Sequence, residues 1–319
     1  MSEGLIVIIG SGELGPSMKA TYRHLFEHVA ASSVTILDSP YGFQENADEL
    51  TARIEKHFRD GFGVKTNIAS LRRGDAKGEE QRRFLESVEQ SEVVFAGPGS
   101  PSYALRVWSG LGMREALAAV VDRGGGVVMA SAAAVTLGAR SIPVYEIYKV
   151  GDDPVWLDGL DVLASYGLSV VVVPHWNNHE GGFHDTSHCF IGIKRFRQLV
   201  ADLPPEISVL SIDEHTSFSI HAVTGMMRVL GAGEAHFNDK DFDSSLPNPG
   251  IVSRPALPKP ESPAPATNPW QPVVELLLEI RDEARGRGDF AQADLIRRRL
   301  ATVQIEIRDG ADGTEWREA

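Results

Sequence analysis

The sequence predicts an α/β protein, with a mostly parallel sheet in three layers, followed by a small C-terminal unit of a helical hairpin and a β-hairpin. Three observations carry this. Short apolar runs rich in Val and Ile alternate with longer stretches of helical periodicity, the pattern of a sheet covered on both faces. Several of the runs end in loops of Gly, Ser, His or Asn, where α/β proteins gather their functional groups. Composition then breaks sharply, with nine prolines between Pro247 and Pro272.

In order, Leu5–Ile9 reads as a buried strand, and Gly10-Ser11-Gly12-Glu13-Leu14-Gly15 follows it. Pro16 suits a first helical turn. The glycine spacing matches the dinucleotide fingerprint, and Asp38 after the next strand, Ser33–Leu37, stands where a ribose-binding acid could be. A strand-to-helix turn favours glycine in any case, so no cofactor is predicted. Ala47–Phe58 and Glu79–Glu89 have helical periodicity, and Val64–Ala69 and Val93–Ala96 read as strands. Gly97-Pro98-Gly99-Ser100 is a turn before helical segments Tyr103–Trp108 and Met113–Val121.

The centre of the chain is Gly124–Ala139. Val127-Val128-Met129 is a buried strand, and Ala132-Ala133-Ala134 starts a helix. Ser131 lies between them, where a sharp strand-to-helix turn holds a hydroxyl outward. The same serine would also serve as an ordinary helix cap. Leu168–Val173 is a strand leading to Pro174-His175-Trp176-Asn177-Asn178-His179, and Ile207–Ile212 is a strand leading to Asp213-Glu214-His215. Ser131, His175 and Glu214 thus follow strands in three successive strand–loop units, as a nucleophile, its base and the base's orienting acid must. Ile193–Ala201 is helical, and Ser217–Val223 with Met227–Leu230 reads as an antiparallel pair.

With 319 residues the chain accommodates a large domain and a small one: residues 1–240, a Pro-rich linker 241–270, and 271–319. Cys189 is the lone cysteine, so neither an internal disulfide nor a thiolate-rich zinc site can be built. That suits a reducing, cytoplasmic setting. His175, His179, His184 and His188 lie in a loop rather than on one helical face, and no metal is predicted. No apolar run is long enough to span a bilayer. The net charge of −13 disfavours broad, nonspecific nucleic-acid binding.

From Leu5 to about Ala235 the chain resembles the serine peptidase family of aspartyl dipeptidase and cyanophycinase, whose fold is similar to class I glutamine amidotransferases. The resemblance rests on Ala130-Ser131-Ala132-Ala133-Ala134, on Val173-Pro174-His175 and on Asp213-Glu214. It implies a hydrolase of small peptides, with Ser131 as nucleophile, His175 as base and Glu214 as orienter. Backbone N–H groups of Gly99 and Ala132 would receive the oxyanion. Glu146 pairs more loosely with an acid the dipeptidase carries after its elbow. Three positions depart from the family. Met129 and Ala133 stand where the elbow has glycines, and Pro98 lacks an N–H in the loop beside the site. No arginine matches the one the dipeptidase uses for an acidic substrate. A degenerate, non-catalytic binding or regulatory protein is therefore the alternative.

Residues 271–319 resemble the terminal segment of cysteinyl-tRNA synthetase, through Arg281, Ala284, Arg285, Asp289, Phe290, Ala293, Asp294, Arg297, Leu300, Asp309, Gly313 and Trp316. The synthetase's His-Ile-Gly-His and Lys-Met-Ser-Lys-Ser runs are missing, so synthetase activity is not implied. The resemblance makes tRNA or a translation partner the candidate ligand of this tail, through Arg281, Arg285, Arg297, Arg298 and Arg299. Against that, the unit holds eight arginines and eleven acids, a balance of −3.

Overall fold

The computed structural model describes residues 3–238, 245–246, 250–253, 277, 278, 281, 284, 290–302, 305–310 and 313–318. The chain divides into two units, Met1–Leu257 and Pro258–Ala319.

The first unit is α/β, and its principal sheet has a parallel half and an antiparallel half. The parallel half is built from β1 (Leu5–Ile9), β2 (Ser33–Leu37), β3 (Lys65–Ala69), β4 (Val93–Ala96) and β5 (Gly126–Ala130). Between them run α1 (Lys19–Val29), α2 (Ala47–Phe62), α3 (Glu79–Glu89), α4 (Pro101–Trp108) and α5 (Met113–Asp122). The strand order places β5 between β1 and β4, with β2 and β3 outside β4. All four of these pairings are parallel.

Side chains alternate along each strand, so the sheet has two buried faces. Leu5, Val7 and Ile9 of β1 face α1 and α2, and pack with Tyr22, Leu25, Ile54 and Phe58. Ile6 and Ile8 face the other way, into a core with Phe84, Trp108, Leu117 and Val172. Burial of each such side chain contributes about 1.5–3 kcal/mol, which makes the two-faced covering the main source of stability.

Beyond β5 come the short α6 (Ala132–Val135), the two-residue strands β6 (Arg140–Ser141) and β7 (Leu157–Asp158), then β8 (Val170–Val173), α7 (Gly192–Ala201) and β9 (Ser208–Ile212). Here the strands of the three-layer, mostly parallel architecture divide between two sheets. β8 and β9 pair in parallel with each other, in a second sheet. The physical reason is that the second sheet packs Val170, Val172, Leu210 and Ile212 on the core of the first, and keeps Val171, Val173 and Val209 for a third core with Phe196 and Leu199 of α7.

The chain then returns to the first sheet. β10 (Thr216–His221) lies antiparallel to β1, and β11 (Met226–Gly231) to β10. β12 (Ala235–Asn238) pairs with β9, and the short β13 (Ser245–Leu246) pairs with β12. β14 (Gly250–Ser253) pairs with β11. The last two strands fall in the stretch expected to be linker from residue 241. Pairing explains the difference, since each satisfies backbone groups on a strand that would otherwise end its sheet. The rest of the proline-rich stretch lies outside the described residues.

In the second unit, Leu277, Leu278, Arg281 and Ala284 are helical, and α8 (Phe290–Thr302) precedes a hairpin of β15 (Ile305–Gly310) and β16 (Gly313–Glu318). Leu278, Leu300 and Ile305 form its small core, with Leu277 and Ile296 against it. No described helix is long and apolar enough to cross a membrane.

Candidate active site

Because β4 and β5 are adjacent and parallel, their C-terminal ends open side by side. β4 runs into Gly97-Pro98-Gly99 and β5 into Ser131. β8 and β9 repeat the arrangement, with Val173 in register with Ser211, so the loops carrying His175 and Glu214 also emerge together.

Ser131 has φ 51° and ψ −118°, a conformation that L-residues rarely adopt. It is held there by its N–H, which donates to the carbonyl of Ile9 on β1 (3.0 Å), and by the Ala133 N–H, which donates to the carbonyl of Gly97 (3.3 Å). The two departures at the elbow are absorbed. Met129 is fully buried, on the sheet face opposite Ala130, and its register partner on β4 is the small Ala96. Ala133 is fully buried in the same core as Met129.

Ser131 Oγ lies 2.8 Å from His175 Nε2, and His175 Nδ1 lies 3.0 Å from Glu214 Oε1. A carboxylate can only accept, so Nδ1 carries the proton toward Glu214 and Nε2 is left to accept from the serine hydroxyl. The same Oε1 accepts from Asn178 Nδ2 at 2.6 Å. Asn178 is 1% exposed, and its Oδ1 accepts from the Glu180 N–H. The Asn177 amide oxygen accepts from the Glu214 N–H at 2.9 Å. The His175 hydrogen bond, with that of Asn178, holds the Glu214 carboxyl below its ordinary range, against the opposing effect of burial. The asparagines were legible only as members of a polar turn, and nothing in their spacing announced that they grip the acid.

The chain of three opens into a cavity of about 360 Å³ lined by Pro98, Gly99, Ser131, Ala132, His175 and the aromatic rings of Tyr145, Tyr148 and Phe190. Among the described residues, neither the Gly99 nor the Ala132 backbone N–H has a hydrogen-bond acceptor. Gly99 has φ +140°, and a Cβ there would collide with the Pro40 carbonyl, so only glycine fits. Cys189 also borders the cavity, but burial pushes its thiol up to about 12, which leaves it protonated at neutral pH.

Other candidates lie elsewhere. Glu146 accepts from Ser102 Oγ at 2.6 Å, and no hydrogen bond joins it to Ser131 or His175 among the described residues. It begins the π-helical turn Glu146–Val150 that carries Tyr148 to the cavity. The loop histidines diverge. His179 bonds the Asn178 carbonyl, His184 stacks on Tyr148, and His188 packs on Trp176. Asp38 is fully buried and bonded to Ser70, the Leu71 N–H and Arg72, so it is not displayed for a ribose. Gly10 has a structural cause, as a Cβ there would strike the Asp213 carbonyl.

In the tail, Arg297, Arg298 and Arg299 are exposed on α8. Arg281 is 3% exposed, so it is not presented for phosphate contact as expected; Leu278 and Ala284 near it in the chain are buried too. Arg285 lies outside the described residues.

Known proteins resemble the two units separately. The fold of the first is that of peptidases: a peptidase from an acI-B1 Actinobacterium superposes with a TM-score of 0.61 at 19% identity, over 79% of this chain and 97% of that one. Residues 271–317 match the family described as the cysteinyl-tRNA ligase anticodon binding domain. The cysteine–tRNA ligase of Salinibacter ruber is 49% identical over 43 residues, which are 14% of this chain and 8% of the ligase. That of Bradyrhizobium diazoefficiens is 26% identical over 121 residues, 37% of this chain and 22% of the ligase. The chain is thus a peptidase-like α/β unit joined to a tRNA-ligase-like tail, and it matches less than a quarter of the length of either ligase.

Proposed function

We propose that the first unit is a serine hydrolase of short peptides. The carrying observation is the unbroken chain from Ser131 Oγ through His175 to Glu214, at 2.8 and 3.0 Å, facing an open cavity. In this reading Ser131 Oγ attacks the scissile carbonyl carbon, and its proton passes to His175 Nε2. The carbonyl electron pair moves to the oxygen, which the N–H groups of Gly99 and Ala132 receive. Collapse breaks the C–N bond, His175 returns its proton to the leaving amine, and an acyl-serine is left. Water then repeats the sequence with His175 as base. Glu214 fixes the imidazole tautomer and stabilises the imidazolium.

The departures at Met129 and Ala133 favour a degenerate protein only if they disturb the turn, and the burial of both within the core argues against that. The test is a screen of di- and tripeptides with wild type, Ser131→Ala and His175→Ala, each checked for folding by circular dichroism. Hydrolysis by wild type alone is expected. Equal hydrolysis by Ser131→Ala would end the proposal.

For the tail, the family match and the three exposed arginines of α8 favour contact with tRNA over a purely structural role. Fluorescence anisotropy with labelled tRNA should show binding that weakens with salt and is lost when Arg297, Arg298 and Arg299 are together changed to Glu. Binding unaffected by that change would point away from α8.

A further inference from the structure

The walls of the cavity specify more than a nucleophile. The subsite beside His175 is apolar and aromatic. The Phe190 ring centroid is 4.8 Å from that of His175, and 6.0 Å from that of Tyr148. Among the described residues that line the cavity, no lysine or arginine other than Lys149 is present to receive an acidic side chain. Charge appears on two lining residues. Lys149 is exposed, with its ammonium 4.3 Å from the centroid of the Tyr148 ring. Glu180 is exposed on the loop after β8. Both line the cavity, and among the described residues neither has an ion-pair partner.

The loops explain why both charges are held at the cavity. Lys149 belongs to the π-helical turn Glu146–Val150, whose first residue is anchored by Ser102. Glu180 follows Asn178, which grips Glu214 and accepts the Glu180 N–H, so the positions of acid and base are mechanically linked to that of Glu180. A volume of about 360 Å³ lies near the lower end of ordinary ligand pockets, which suits a very short peptide rather than a protein segment.

We infer that the preferred substrate is a zwitterionic dipeptide with an aromatic or large apolar first residue, its α-ammonium on Glu180 and its C-terminal carboxylate on Lys149. This rests on the hydrolase reading above and narrows it to a substrate class. The aromatic first side chain lies against the rings of Phe190 and Tyr148, where edge or offset ring contact adds to burial. Both charges on the substrate meet an unpaired opposite charge, and blocking either removes one such pair. Because both protein charges are exposed, each pair contributes modestly, on the order of a fivefold change in affinity.

The test separates binding from chemistry. Calorimetric titration of the full-length Ser131→Ala chain with Phe-Ala, N-acetyl-Phe-Ala, Phe-Ala amide and Asp-Ala is expected to rank Phe-Ala tightest. Acetylation and amidation should each weaken binding about fivefold. Glu180→Gln should remove the acetylation effect and keep the amidation effect, and Lys149→Met the reverse. Equal affinities for the blocked and free peptides, tighter binding of Asp-Ala, or no saturable binding of Phe-Ala would overturn the inference. The hydrolase reading fails on a different result, the lack of any Ser131-dependent acylation of the wild-type chain.

Discussion

Replacing Ser131 by glycine should give a more stable protein than replacing it by alanine. Both changes remove the hydroxyl, so the lost 2.8 Å bond to His175 cancels in the comparison. What remains is the backbone. At φ 51° and ψ −118° a residue with a Cβ is strained, at a cost of about 1–3 kcal/mol. Glycine relieves that strain but brings a more flexible unfolded chain, which offsets about 0.5–1 kcal/mol. The net advantage of glycine is about 1 kcal/mol. For a unit the size of Met1–Leu257 that corresponds to roughly 2–4 °C in Tm. Differential scanning calorimetry of the two variants reads it directly, from the transition of the first unit. A glycine variant that melts with or below the alanine variant would refute the claim that the elbow stores strain.

Three further predictions concern the surroundings of the triad. Asn178→Ala should lower kcat by about tenfold or more with little change in KM, because a buried donor that fixes Glu214 is lost; its pH profile should move its acid limb upward, and an unchanged profile would contradict this role. His188 is held down to about 4 by burial, so it is neutral in the fold while the unfolded chain still takes up a proton below about 6.5. Stability should therefore be full above that value and fall as pH drops toward 4, by on the order of 1 kcal/mol after discounting for its partial exposure. Urea titrations at several pH values should lose this part of the slope in His188→Asn, an identity that tolerates the positive φ found there. Met129→Ala should destabilise by about 2–5 kcal/mol through a core cavity, and a change within 0.5 kcal/mol in denaturant unfolding would contradict its packed position.

The strands that carry the site were legible because each is a short, largely apolar run ending in residues of unusual chemistry. Val170–Val173 before His175 and Ser208–Ile212 before Glu214 are examples. Their membership of a second sheet was not legible. Periodicity reports which faces are buried, not which strand lies beside which, and β8 and β9 have buried residues on both faces. The glycines after β1 illustrate the opposite failure. Their spacing suits a nucleotide, yet Gly10 answers to the backbone of Asp213, more than two hundred residues away. Asn177 and Asn178 stood in plain view beside His175, but a hydrogen bond to Glu214 is a long-range contact that no local pattern encodes. The burial of Arg281 was hidden for a related reason. A cluster of arginines looks like a basic surface until the helix is packed.

The most direct measurement of the central claim is labelling of the full-length chain with a fluorophosphonate, read by intact mass and peptide mapping. A single adduct on Ser131 of the wild type is expected, slowed strongly in His175→Ala and missing in Ser131→Ala. A wild-type chain that stays unmodified while a control serine hydrolase is labelled, or an adduct that persists in Ser131→Ala, would contradict it.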